Sequence, residues 1–184
     1  QEANAADRDL RLAALRGLAA SGDPQGGPVL LAATRAASRY VRSQADAAYL
    51  EFLVRQVAAG RADEAVTQAA AYAGSRTGDE HIQAAVMDVY ARAATEAAAD
   101  AVLTGMLSGS ERVRQSARLA LRRLPAVRSA PKLARRLETT PVELRPGLLQ
   151  ALGELGVTGA LPAVKACMRS DDAATRRAAI LAFG

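Results

Sequence analysis

The stretch from residue 110 to residue 184 matches itself when shifted by 31 positions. Arg114, Arg145 and Arg176 fall in register (145 − 114 = 31; 176 − 145 = 31), and one step back lands on Gln83 (114 − 83 = 31). Leu121, Leu152 and Phe183 keep the same phase, as do Pro131 and Pro162. A period of this size marks a stack of supersecondary units, each too small to bury its own apolar face. The chain is thereby constrained to an array of like pieces that complete one another's interior.

Within each piece the apolar spacing is helical, and no alternating strand pattern appears. The spacing predicts eleven helices, over 7–20, 28–40, 44–59, 62–73, 79–94, 96–107, 111–124, 127–137, 141–155, 160–168 and 172–183. Short Gly-, Pro- and Ser-containing connections force consecutive helices to run antiparallel and adjacent. The expected fold is all-α, a right-handed α-solenoid of about five to six stacked antiparallel hairpins. No domain boundary is evident, so 1–184 reads as a single repeat domain.

The helix over 111–124 serves as the template. Val113, Ala117, Ala120, Leu121 and Leu124 share one face, while Arg118 and Arg122 point away from it into solvent. Arg114 sits at the edge, its stem on the neighbouring repeat and its guanidinium in water. Asp171 or Asp172 is placed to cap the last helix, and either is expected to meet an arginine of the preceding unit.

Val113-Arg114 with Ala117, Ala120 and Leu121, the run from Asp172 to Ala182, and the prolines at 131 and 162 together resemble HEAT repeats, including the HEAT-like repeats of the PBS-lyase type. The resemblance covers 110–184 well and 79–107 moderately. Over the first seventy residues it rests on helix spacing alone. It departs from the pattern at Gln83, which replaces the ladder arginine, and at Pro146 and Gly147, where helix is expected. A proline in a straight helix removes a backbone hydrogen bond at a cost of ~3 kcal/mol, so a kink or a delayed start is expected at Arg145. The resemblance implies a stack whose concave side, lined by the second helix of each repeat, binds other macromolecules. It also implies an accessory domain within a larger bacterial protein.

Side chains for catalysis are sparse. The single histidine, His81, stands with Asp79 and Glu80 at a helix start, and reads as an exposed first-turn residue, since one His supplies no metal set. The single cysteine, Cys167, shares a face with Leu161, Val164 and Met168 and reads as a small buried hydrophobe. No cofactor, metal or catalytic set is expected, and the chain is read as a non-enzyme. Tyr49 and Phe52, three apart, are expected in the core; Tyr40 is read as packed rather than as a surface anchor. No apolar run reaches the ~18 residues needed to span a bilayer. The start at Gln1 in an acidic QEANAADRD is expected of a chain whose leader was cleaved, or of a segment cut from a longer protein. Of addresses, export is preferred to the cytoplasm.

The formal charge is +5, and 24 − 2 = 22 of the basic residues are arginine. Eight arginines and Lys132, nine basic residues, lie from Arg112 to Arg136 with no acidic residue among them. Arg114, Arg118 and Arg122 step by four along one helix; Arg128, Lys132 and Arg136 do so along the next. These six form the candidate binding surface. Two functions are open at this point: a non-enzymatic scaffold mediating protein–protein interaction, with a protein partner or adjacent domain, and a polyanion or nucleic-acid binder acting through 112–136. The run contains no aromatic residue on which bases could stack, which disfavours nucleic acid.

Overall fold

A computed structural model describes residues 2–156 and 160–184, with side chains described except at 2–6 and 126–128. Among the described residues there are eleven α-helices and no strand. They are α1 (Glu2–Ser21), α2 (Gly26–Ala33), α3 (Arg39–Ala58), α4 (Ala62–Gly74), α5 (Glu80–Ala93) and α6 (Glu96–Gly105). After these come α7 (Glu111–Leu121), α8 (Ala126–Thr139), α9 (Arg145–Leu155), α10 (Leu161–Cys167) and α11 (Ala173–Phe183). The expected all-helical class is what the chain adopts. Its contacts gather into two compact units, one ending at Val89 and the other beginning at Tyr90.

One boundary differs from the sequence reading for an identifiable reason, and another follows it. The expected helix over 28–40 is two pieces. α2 ends at Ala33, and Ser38 opens α3 by accepting a hydrogen bond from the Val41 amide at 3.5 Å. That cap satisfies one of the orphan donors of a helix start and sets the break before Tyr40 instead of after it. The delayed start at Arg145 is present: Val142–Leu144 form one 3-10 turn, and α9 begins at Arg145 with Pro146 in its first turn. There a missing N–H costs nothing, because the first amides of a helix have no partner anyway.

In the first unit α3 is the central element, with α1, α2 and α4 packed on it. Phe52, Leu53 and Leu30 are fully buried, and the Tyr49 ring lies 6.1 Å from Phe52 and edge-on to Tyr72 at 5.0 Å. Tyr49 and Phe52 are core, as expected. Tyr40 is not: its ring is exposed, with the Arg8 guanidinium 5.8 Å above it. One buried carboxylate, Asp46, accepts from the Tyr72 hydroxyl at 2.5 Å and from Arg76 at 2.8 Å. A buried charge left unpaired is costly, and these two donors on α4 and the turn after it remove that cost.

In the second unit each even-numbered helix from α6 on pairs with the helix after it as a hairpin: α6 on α7, α8 on α9, α10 on α11. The first helices also neighbour one another, α6 on α8 and α8 on α10, and α9 lies on α11. The result is two rows of helices, α6, α8 and α10 in one and α7, α9 and α11 in the other. Leu103, Leu121, Leu133, Leu148, Leu149 and Leu152 fill the space between them and are fully buried. Leu121 and Leu152, equivalent in the 31-residue period, are equally enclosed.

The in-register polar residues have a shared task that the sequence did not disclose. Arg114 donates to the carbonyls of Ser108 at 2.7 Å and Gly109 at 3.1 Å; Arg176 donates to Ser170 at 2.7 Å and Asp171 at 2.8 Å. Arg145 donates from Nε to the Thr140 carbonyl at 2.9 Å, and in the first unit Gln83 donates to Thr77 at 2.6 Å. Each clasps the turn just before its own helix, where carbonyls at the end of the preceding helix lack partners. The Arg114 guanidinium is thus on its own turn and not free in water as expected. Gln83 performs the same task with an amide. Asp172 caps α11, accepting from the Thr175 amide at 2.7 Å. Hydrogen bonding to Thr175, more than the nearby Arg176 charge, holds its carboxyl below the usual range.

Candidate functional site

The cations singled out by the sequence are divided between the two helix rows. Arg118 and Arg122 project from α7 toward α9. Arg122 holds Glu154 through two bonds of 2.9 Å, and Arg118 reaches the Gln150 amide oxygen at 3.4 Å and Glu111 at 3.5 Å. Lys132 and Arg136 project from α8 toward α6. Lys132 lies 2.8 Å from Asp100 and 2.6 Å from Glu96, and Arg136 donates to the Thr104 hydroxyl at 3.3 Å. Arg114 is paired with Glu111 as well as with its turn. Arg128 falls outside the residues whose side chains are described. Arg122 is exposed, as expected, and Arg118 partly so, and both also reach across to the next hairpin.

Four of these bonds, Arg118–Gln150, Arg122–Glu154, Lys132–Asp100 and Arg136–Thr104, share one sequence separation, 32. All four cross the same boundary, between the α6–α7 hairpin and the α8–α9 hairpin, one pair on each row. These four cations are therefore a clasp along both edges of a single interface. Its electrostatics agree: hydrogen bonding to Arg122 keeps the Glu154 carboxyl below its ordinary range, and Asp100 and Glu96 raise the Lys132 ammonium. Sequence reasoning missed the acceptors because they were sought beside the cations. Looking one period and one residue away would have found Glu154, Gln150, Asp100 and Thr104.

Beyond that interface, α9 and α11 approach so closely that a Cβ on Gly153 would stand 2.9 Å from the Ala182 Cα. The two helices leave an open furrow of about 750 Å³, lined among others by Arg118, Gln150, Glu154, Arg177, Ala178 and Leu181. Leu181 is 75% exposed, and Leu119 on α7 is 63% exposed. With Gln150 they occupy one register position on three successive helices (150 − 119 = 31; 181 − 150 = 31), and Gln150 is exposed too. A second cavity of about 410 Å³ is lined by Arg145, Cys167, Ser170 and Asp171 among others. Cys167 is only half-buried, less enclosed than expected, and desolvation pushes its thiol up, so it stays protonated and a poor nucleophile.

His81 is exposed in the first turn of α5, its amide donating to Asp79 at 3.1 Å. Among the described residues no three His, Cys, Asp or Glu side chains gather as a metal-ligand group, and no helix is long and apolar enough to cross a membrane. No protein-family model matches the chain, and no curated protein matches it.

Proposed function

We propose that this chain is a non-enzymatic scaffold of HEAT-like helical hairpins, a right-handed α-solenoid in kind, that binds a protein partner on the row formed by α7, α9 and α11. The observation that carries this reading is the exposed Leu119–Gln150–Leu181 row. Leu119 and Leu181, the exposed apolar side chains at the two ends of that row, give a partner apolar area to bury at ~25 cal/mol per Å², and Gln150 between them adds a polar contact. The interlocked hairpins beneath it supply a firm support, which lowers the ordering cost of binding.

The polyanion reading loses weight because those of its cations whose side chains are described are engaged. Arg122 and Lys132 already hold carboxylates, and Arg118 and Arg136 hold side chains of the next hairpin. A phosphate backbone would have to displace those partners before any counterion release could favour it.

The experiment places a photo-reactive side chain at Leu119, or at Arg135 on the other row, in the intact chain within its host. Crosslinks to a protein from position 119 and none from 135 are expected. Equal or absent crosslinking at both removes the scaffold reading. Binding of a generic duplex tighter than ~100 μM at physiological salt would favour the polyanion reading instead.

A further inference from the structure

We propose that the furrow between α9 and α11 receives an acidic, apolar-faced segment of a protein partner. The proposal rests on the scaffold reading and specifies the partner's chemistry. Two arginines and one glutamate border the furrow: Arg118, Arg177 and Glu154. Glu154 is occupied, since both of its carboxylate oxygens accept from Arg122. Arg177 is exposed on α11, and no described residue partners it. The rim is thus cationic, with one complete guanidinium fork open, a geometry that matches a carboxylate through two parallel bonds.

Between the charges the lining is apolar apart from Gln150, whose amide oxygen already accepts from Arg118. Leu181 stands open to solvent, and Ala178, Ala182 and Gly153 add no polar side chain. A partner fitting this surface carries leucine-like side chains for Leu181 and a carboxylate within reach of Arg177. Nucleic acid fits poorly. Two arginines neutralise too few phosphates to drive counterion release, and no aromatic lines the furrow for base stacking. Phe183, the aromatic nearest in sequence, has the Lys165 ammonium 5.7 Å from its ring and does not line the furrow.

The test titrates the whole chain with a fluorescent amphipathic peptide, leucines at every third or fourth position and glutamates beside them. A second peptide carries lysine for every glutamate. The glutamate peptide is expected to bind at least about tenfold tighter than the lysine one, a difference of ~1.4 kcal/mol. Arg177→Glu and Leu181→Asp should each weaken it about tenfold, and Arg135→Glu, outside the furrow, should leave it unchanged. Equal affinity for the two peptides, or no loss with Arg177→Glu, overturns the proposal. So does displacement of the peptide by duplex at a similar concentration, or a dimer of the chain abolished by Leu181→Asp. If the acidic peptide fails while position 119 still crosslinks a protein, the acidic occupant alone is lost and the scaffold stands. If both fail, both are lost.

Discussion

Arg122 on α7 and Glu154 on α9, separated by 32 residues, meet through two hydrogen bonds of 2.9 Å that join neighbouring hairpins. The bidentate geometry fixes the register of one hairpin on the next more than it adds stability, because the Arg122 side chain is 58% exposed and exposed pairs are weak. Raising salt to about 1 M, where the Debye length falls to ~3 Å, should erase most of the coupling measured by an Arg122→Ala, Glu154→Ala double-mutant cycle. Because the folded carboxyl is held below its ordinary range, the stability it lends is complete above the unfolded pKa and fades as pH falls through the folded one. The wild type's advantage over Glu154→Gln in urea should follow that course. An advantage that persists in strong acid would show that the pair is not its source.

Gly153 and Gly147 lie on the same helix, and alanine should have opposite effects at them. At Gly153 the new methyl meets backbone, the Ala182 Cα at 2.9 Å, and backbone cannot swing aside. The helix-propensity gain of ~1 kcal/mol is outweighed by an overpacking cost of ~1–3 kcal/mol, so Gly153→Ala should destabilise. At Gly147 the methyl meets nothing within 4 Å. Gly147→Ala should stabilise by ~0.5–1 kcal/mol, read as a higher urea midpoint with an unchanged slope.

Thr175 is fully buried, and its hydroxyl oxygen has no hydrogen-bond partner within bonding geometry among the described residues. The equivalent residue two periods earlier is Val113 (175 − 113 = 62), also buried. Thr175→Val removes an unsatisfied polar atom without changing shape, and its amide can still donate to Asp172. A gain of ~1 kcal/mol is expected in thermal or urea unfolding. A loss would mean that the hydroxyl has a partner.

Three of the four tyrosines are buried and resist ionisation. Burial raises Tyr49, pushes Tyr90 up to about 12, and with the Asp46 hydrogen bond and charge raises Tyr72 further. A raised folded pKa means stability that is full below the unfolded value of ~10 and is lost as pH rises through the folded one. Phenolate absorbance of these three should therefore appear together with loss of helical circular dichroism in alkali. Ionisation of all three while the helices persist would contradict their burial.

The 31-residue period and the helical spacing were enough to give eleven helices, a kink or late start at Arg145, the burial of Leu121 and Leu124 and a cap at Asp171 or Asp172, because these depend on local propensity and on which face must be buried. What Arg114 and Gln83 touch was not legible, since a turn's unpaired carbonyls have no sequence signature of their own. The two-sided division of the basic run was equally hidden. A helix wheel tells which side of its own axis Arg122 or Lys132 occupies, but not which helix passes on that side.

The sequence by itself determined that this chain is all-helical and, over 110–184, built from like pieces, because periodic apolar faces leave helices no other way to escape water. Only the tertiary structure decided that Arg118, Arg122, Lys132 and Arg136 fasten one hairpin to the next, and that Arg177 stands open beside Leu181 in a furrow. The reason is distance: pairing across 32 residues depends on the offset at which helices pack, and that offset is set by contacts such as Gly153 on Ala182, which exist only once the chain has folded.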